Sequence, residues 1–287
     1  MRTLDNIVEL RQLVAGWRHR SETVGFVPTM GNLHAGHLAL VDDARNNADR
    51  VVVSIFVNPM QFGPGEDLEA YPRTLKADQE KLVEAGVDLL FAPDVASIYP
   101  RGEENTSTVA VPSALTDVLC GRDRPGHFRG VATVVAKLFN MVQPDVAVFG
   151  EKDWQQLQVI RRMTEDLNLP VKVLGSPTMR ETDGLATSSR NQYLSEEERQ
   201  RAPLLYQVLQ QVSTALSRDR GSLEAALAAG RQRLEEAGFE VDYLEARDRD
   251  TLGPPGEGPI NVFGAARLGK ARLIDNLAVP APGKAPA

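Results

Sequence analysis

Hydrophobic positions follow two rhythms along the chain. Over residues 4–17, Ile7, Leu10, Leu13, Val14 and Trp17 recur at three- and four-residue steps. That spacing predicts an amphipathic helix. Residues 23–27 form a short apolar run stopped by Pro28, which predicts a buried strand. A glycine-containing stretch, 29–36, then leads into a helical pattern that reaches about residue 48. The run 51–57 (VVVSIFV) is almost continuously β-branched, the pattern of a parallel strand covered on both faces. Further helices are predicted over 75–85, 131–142 and 154–167, and strands over 87–92, 146–149 and 171–174. Strands alternating with helices imply βαβ units with right-handed crossovers. The fold class expected is α/β, a Rossmann-like parallel sheet with helices on both faces.

The rhythm changes near Ser176. After a polar loop, 195–216 and 223–237 read as amphipathic helices, and 241–246, 260–264 and 271–274 as strands. This predicts a smaller C-terminal α+β domain, so the expected division is 1–176 and 177–287. The last residues, 279–287 (VPAPGKAPA), are rich in proline and alanine and are expected to form a loose tail. No internal repeat is visible.

Composition narrows the function classes. The chain has 287 residues, 42% hydrophobic and 25% charged, enough for about two ordinary globular domains. Its net charge of −7 argues against nonspecific nucleic-acid binding, yet leaves room for a local basic pocket. A single cysteine, Cys120, rules out an intrachain disulfide framework and fits a reducing compartment. No catalytic cysteine motif surrounds Cys120, so it is expected to be a packed small residue. The opening MRTLDNIVELRQLV lacks a basic leader followed by an apolar run. No uninterrupted apolar stretch is long enough for a membrane span. The expected location is cytoplasmic.

The strongest local signal is Val27-Pro28-Thr29-Met30-Gly31-Asn32-Leu33-His34-Ala35-Gly36-His37. A strand end, a glycine turn and a helix start bring free backbone N–H groups together, which suits an anion. His34 and His37, three apart, share a helix face. They read either as a pair of imidazole donors aimed at a triphosphate or as surface histidines capping a helix. A metal site is a third reading, but no matching set of further ligands accompanies them. Asn58 and Gln61 follow the buried strand 51–57, at the edge where open α/β sheets bind ligands. Their amides suit a substrate bearing hydroxyls and a carboxylate. Gly150-Glu151-Lys152-Asp153 follows another strand and opens a helix, with Lys152 a mobile charge for phosphate and Asp153 an acceptor for a ribose hydroxyl. Gln156 lies on roughly the same helix face as Asp153. Ser188-Ser189-Arg190, in a polar loop, offers two hydroxyls and a forked guanidinium for polyphosphate oxygens.

Together these segments resemble a known family. The His34–His37 stretch resembles the HxGH signature of the nucleotidyltransferase superfamily, shared with class I aminoacyl-tRNA synthetases. Its longer form, PTMGxLHxGH, resembles that of the pantoate–β-alanine ligases. Phe56-Val57-Asn58-Pro59-Met60-Gln61-Phe62-Gly63, Arg124-Pro125-Gly126-His127-Phe128-Arg129-Gly130-Val131, Gly150-Glu151-Lys152-Asp153-Trp154-Gln155-Gln156 and Asp183-Gly184-Leu185-Ala186 with Ser188-Ser189-Arg190-Asn191 are similar to that family's further motifs. The matches run in order from about Val27 to Leu194.

The resemblance implies ATP-dependent joining of pantoate to β-alanine through a pantoyl adenylate, with magnesium accompanying ATP, in a homodimer. It implies an ATP site at Met30, Gly31, Asn32, Leu33, His34, Ala35, Gly36, His37, Gly150, Glu151, Lys152, Asp153, Met179, Thr187, Ser188, Ser189 and Arg190. The catalytic set it implies is His37, His34, Lys152, Ser188, Ser189 and Arg190. Pantoate and β-alanine fall to Gln61, Gln156 and Asn58; the protein ligands of magnesium stay unassigned. Thr187 departs from the apolar residue common in the family, which is tolerable where that position contributes mainly backbone. Arg124 and His127 either serve the carboxylate substrates or order the loop before the 131–142 helix. Two other readings stand beside ligation: nucleotidyl transfer to a phosphorylated substrate, and nucleotide sensing without catalysis.

Overall fold

The protein, here a computed structural model, is described over residues 1–66 and 68–280. Asp67 and the tail beyond Pro280 lie outside the described residues, and with them most of the expected loose terminus. The chain forms two compact units. The first takes Met1–Pro112, Arg124–Glu151 and Gln156–Pro177. The second takes Ser113–Asp123, Lys152–Gln155 and the chain from Thr178 on. A cut after residue 176 leaves 113–123 and 152–155 with the first part, whereas their contacts group them with the C-terminal residues.

The strands, in chain order, are β1 (Arg2–Leu4), β2 (Val24–Thr29), β3 (Arg50–Ile55), β4 (Leu89–Phe91), β5 (Val146–Gly150), β6 (Lys172–Ser176), β7 (Glu240–Asp248), β8 (Ile260–Leu268) and β9 (Ala271–Ala278). Helices α1 to α6 are Ile7–His19, Ala35–Asn47, Leu75–Glu84, Val95–Ile98, Ser113–Thr116 and Cys120–Asp123. Helices α7 to α11 are His127–Val142, Trp154–Asp166, Glu196–Arg201, Leu204–Arg218 and Leu223–Glu236.

In the first unit six parallel strands run in the order β1-β4-β3-β2-β5-β6. Both faces are covered, as expected for strands without polar alternation. Phe26 on β2 meets Phe139 of α7 edge-to-face at 6.4 Å, while its neighbour Val27 joins Val41 and Ala44 of α2 on the other face. Gly25, on that same face, lets α2 close in: a Cβ there would stand 3.1 Å from the Ala44 carbonyl oxygen. Strand β2 runs through Pro28 to Thr29, two residues past the predicted end. Proline is tolerated there because β5 pairs with β2 only at Gly25 and Phe26. The connections leaving β2 and β5 go to opposite sides of the sheet, so ligand chemistry is expected at the carboxyl ends of these two neighbours.

The second unit packs α10 and α11 on the antiparallel sheet β7-β8-β9. Its core joins Leu205, Val208, Leu209 and Val212 of α10 to Leu244, Val262, Ala266 and Leu273 of the sheet. The predicted helix over 195–216 is two helices. Ser195 and Glu198 form a reciprocal capping box that starts α9, and Pro203 interrupts the pattern before α10. Gln155 ties α5 and α6 into the unit, donating to the Leu115 and Val118 carbonyls and accepting from the Cys120 N–H. Cys120 is buried, its Sγ 3.0 Å from the Tyr243 hydroxyl. Trp17 and Trp154 are buried packing residues. The sequence pattern missed β1, which is only three residues long, and the single-turn helices. Such elements are too short to show a period.

Candidate active site

The turn after β2 carries the HxGH segment. Gly31 adopts φ +83°, and a Cβ there would crowd Ile55 and the Asp78 carboxylate at 3.1 and 3.2 Å. Only glycine meets both demands cheaply. Asp78, buried on α3, accepts from the Asn32 N–H at 2.9 Å, the Leu33 N–H at 2.8 Å and the Thr74 hydroxyl at 3.0 Å. Lys81, a turn further along α3, donates to the Leu33 carbonyl at 2.6 Å. Helix α3 therefore holds the turn in place from below.

His34 is the N-cap of α2. Its Nδ1 accepts from the Gly36 N–H at 3.2 Å, while His37 Nδ1 accepts from the His34 N–H at 3.3 Å. The ring centroids lie 4.0 Å apart. A neutral imidazole that accepts at Nδ1 carries its proton on Nε2. The capping arrangement thus makes both rings Nε2–H donors at a helix N-terminus, where an anion is favoured. The capping arrangement is the one the structure shows.

After β3, Pro59–Gln61 forms a one-turn helix packed against α7. The approach is possible because residue 130 is glycine: a Cβ there would lie 2.2 Å from the Met60 oxygen. Asn58 is 1% exposed and wholly engaged. Its Nδ2 donates to the Gly130 carbonyl at 3.2 Å and to Gln61 Oε1 at 3.0 Å, and its Oδ1 accepts from the Tyr99 hydroxyl at 2.7 Å. Asn58 accordingly positions Gln61. Gln61 Nε2 points to Met30 Sδ at 3.1 Å, linking this turn to the HxGH segment.

Arg124 and His127 order the same turn. The Gln61 carbonyl accepts from His127 Nδ1 at 2.8 Å and from Arg124 at 3.3 Å. A carbonyl only accepts, so His127 bears its proton on Nδ1 when neutral, leaving Nε2 to accept from Arg124 at 3.1 Å. Arg124 also forks onto Glu66 at 2.7 and 2.5 Å. Burial works to raise the Glu66 carboxyl, but the Arg124 hydrogen bonds and charge outweigh it and hold it below the ordinary carboxylate range. In the structure both side chains brace the Gln61 turn, Arg124 also through Glu66. Gln156 follows in the half-buried first turn of α8.

The second unit holds the remaining residues. Lys152, directly after Glu151 at the end of β5, is anchored by Asn276 of β9, which donates to its carbonyl at 3.0 Å. Lys152 and Ser188 line one small cavity, together with Tyr206 and Asp275. Arg180 forks onto Asp275 at 2.6 and 2.9 Å and stacks on Tyr206 at 3.7 Å, bracing the loop before Ser188. Thr187 donates both its N–H and its hydroxyl to the Met179 carbonyl, at 2.9 and 3.1 Å. That accounts for a polar residue at this position. The Ser188 hydroxyl accepts from the Arg190 N–H and opens the turn Ser189–Tyr193.

Several residues of this architecture escaped the sequence reading, among them Asp78, Lys81 and Tyr99 in the first unit and Arg180, Tyr206 and Asn276 in the second. Asp78 had one available signal, a carboxylate four residues before Leu82 on the buried stripe of α3. Among the described residues, no group of three or more His, Cys, Asp or Glu could hold a metal ion, and no helix is long and apolar enough to cross a membrane.

A family model described as pantoate-beta-alanine ligase matches residues 2–278. A pantothenate synthetase of Pseudomonas aeruginosa is 56% identical over 281 residues, covering 97% of this chain and 99% of that protein. One from Azotobacter vinelandii is 54% identical with the same coverage, 97% and 99%. Among solved structures, the pantothenate synthetase of Thermus thermophilus superposes with a TM-score of 0.88 at 51% identity, covering 97% of this chain and 99% of that one. The Francisella tularensis pantoate-beta-alanine ligase, solved with beta-gamma ATP and beta-alanine, gives 0.82 at 34% identity and covers 97% of each chain. A family match over nearly the whole chain, on a fold that carries each quoted motif, places this protein in the pantoate-beta-alanine ligase family.

Proposed function

We propose that this chain joins pantoate to β-alanine at the expense of ATP, releasing AMP and pyrophosphate. The observation that carries the reading is the family match over residues 2–278. In the first step a pantoate carboxylate oxygen attacks the α-phosphorus of ATP, and pyrophosphate leaves with the electrons of the broken P–O bond. In the second, the β-alanine amine attacks the acyl carbon of the pantoyl adenylate, AMP departs, and the amine gives up a proton. The substrate is its own nucleophile, so the protein supplies alignment and charge neutralisation rather than a catalytic serine or cysteine.

From the first unit, His34 and His37 present Nε2–H donors to phosphate oxygens. The turn Met30, Gly31, Asn32, Leu33, with Ala35 and Gly36 at the start of α2, supplies backbone. Gln61 and Gln156 orient pantoate, and Asn58 acts through Gln61. Glu151 and Gly150 close β5. From the second unit, Lys152, Ser188, Ser189 and Arg190 serve the phosphates, Asp153 the ribose, and Met179 and Thr187 the nucleotide. Magnesium would accompany ATP, held largely by phosphates and water and neutralising charge on the leaving pyrophosphate; its protein ligands stay unassigned. The protein works as a cytoplasmic homodimer.

The test is product analysis. AMP should be released only with both pantoate and β-alanine present, and labelled pyrophosphate should exchange into ATP when pantoate and magnesium are present and β-alanine is omitted. Stoichiometric ADP and orthophosphate would overturn the mechanism.

A further inference from the structure

Tyr99 stands outside every motif quoted above, yet it is 2% exposed and spends its hydroxyl on a single amide. The amide is Asn58 Oδ1, at 2.7 Å. The rest follows from which atoms can donate. The Gly130 carbonyl only accepts, so the Asn58 atom facing it at 3.2 Å is Nδ2. Oδ1 then faces Tyr99, and the phenol must donate. The second Nδ2 hydrogen points at Gln61 from 3.0 Å, so the Gln61 atom it meets is Oε1. Gln61 is left presenting its Nε2 hydrogens, one of them on Met30 Sδ at 3.1 Å. A thioether is a weak acceptor and could not set this orientation alone. With a free choice, the Gln61 amide could turn its carbonyl outward and oppose the oxygen-rich face of a hydroxy acid.

We propose that Tyr99 is a positioning residue for pantoate: its hydroxyl, donated to Asn58 Oδ1, clamps the Asn58 amide whose orientation the Gly130 carbonyl sets, and so holds the Nε2 end of Gln61 toward the substrate. The inference rests on the proposed function, in which Gln61 meets pantoate. The surroundings suit a one-way donor. Tyr99 packs on Phe56 at 6.1 Å and lies beneath the Lys137 ammonium at 5.4 Å. Burial, with Glu103 nearby, pushes its phenol well above the ordinary range, so it stays protonated and donating at any working pH. Removing the hydroxyl leaves the ring packing intact but strands a buried carbonyl oxygen; Asn58 keeps its bond to the Gly130 carbonyl yet loses a restraint, and Gln61 is held less firmly.

The test is a double-mutant cycle on Tyr99→Phe and Gln61→Ala, reading steady-state KM for pantoate and for ATP separately. Tyr99→Phe should raise the pantoate KM about 2- to 12-fold, the span of one neutral hydrogen bond, and leave the ATP KM unchanged. In the Gln61→Ala background the same substitution should add nothing to the pantoate KM. Equal effects in both backgrounds, or parallel losses for ATP and pantoate, would overturn the relay and leave Tyr99 as packing. A Gln61→Ala protein with normal pantoate KM would instead sink the functional assignment of Gln61, a different failure. Gln61→Glu keeps the side-chain shape but puts an acceptor at both ends. It should impair pantoate use at least as much as Gln61→Ala, and normal behaviour would overturn the polarity argument even where Tyr99→Phe fails to fold.

Discussion

Gly130→Ala is the sharpest perturbation this architecture offers. A methyl group built at residue 130 would stand 2.2 Å from the Met60 oxygen, 2.5 Å from its carbonyl carbon and 2.7 Å from the Gln61 nitrogen. Carbon–oxygen contacts relax near about 3.3 Å, so something must move by roughly 1 Å. The offended atoms are backbone, and no rotamer change relieves them. Helix α7 cannot easily yield, because Val131, Ala132, Val134 and Val135 are all buried. The turn Pro59–Gln61 must give instead, taking with it the Gln61 carbonyl that His127 and Arg124 hold. Overpacking of this kind costs about 1–3 kcal/mol, which at about 2–4 °C per kcal/mol lowers the melting temperature by several degrees. The larger effect is expected in catalysis, since misplacing a positioning group by about 1 Å can cost on the order of 10²-fold. Steady-state assays should show kcat/KM for pantoate falling about 10- to 100-fold, with the ATP KM little changed. Wild-type pantoate kinetics in Gly130→Ala would refute the claim that this glycine seats Gln61.

Removing the oriented donors His34 or Lys152 by alanine substitution should slow single-turnover adenylation about 10²–10³-fold; near-normal rates would remove that residue from the catalytic set. Asp78→Ala strands the Asn32 and Leu33 N–H groups and should weaken ATP use by about 10-fold or more while sparing pantoate, measured as separate KM values. Glu66 is held below its ordinary value of 4.5, so it contributes stability above that pH and loses it as pH falls through its lowered folded value. Urea unfolding should therefore show wild type and Glu66→Gln converging below pH 4.5; a gap that stays constant into strong acid contradicts the linkage. Leu209→Ala, at a fully buried core position of the second unit, should cost about 2–5 kcal/mol in stability, read by chemical denaturation.

Much of this was legible in the sequence because the signals were periodic or clustered. The runs in β2, β3 and β5 and the amphipathic α1, α8 and α11 announce themselves by apolar spacing, and the Met30–His37, Asn58–Gln61 and Gly150–Asp153 segments each follow a strand. What stayed hidden depends on long-range contact. Asp78 reaches back 46 and 45 residues to the turn it holds, as read from its bonds to Asn32 and Leu33. Tyr99 reaches 41 residues to Asn58, and His127 66 residues to Gln61. No local pattern reports such partners. Asn58 illustrates the same limit from the other side: its motif marked it as important, but only its burial distinguishes a supporting amide from a contacting one. The split of 195–216 is marked in the sequence by Pro203, a signal that the apolar pattern continuing on both sides masks.

The discontinuous makeup of the second unit has a consequence for how the chain matures. Its sheet and its helices α10 and α11 come from the last part of the sequence, but Trp154, Lys152 and Cys120 complete it through Arg249, Asn276 and Tyr243. Those partners are separated by 95, 124 and 123 residues. A ribosome releasing this protein exposes 113–123 and 152–155 long before the C-terminal residues that complete their contacts; until then they have only each other, through Gln155. Closing such long loops late adds only a slowly growing entropic term, yet it makes assembly of the second unit obligatorily the final event. A fragment beginning at residue 178 would hold all three strands and still lack the pieces that finish its surface. Nascent chains stalled before β7 would for the same reason lack the residues that Trp154 and Cys120 meet in the finished unit.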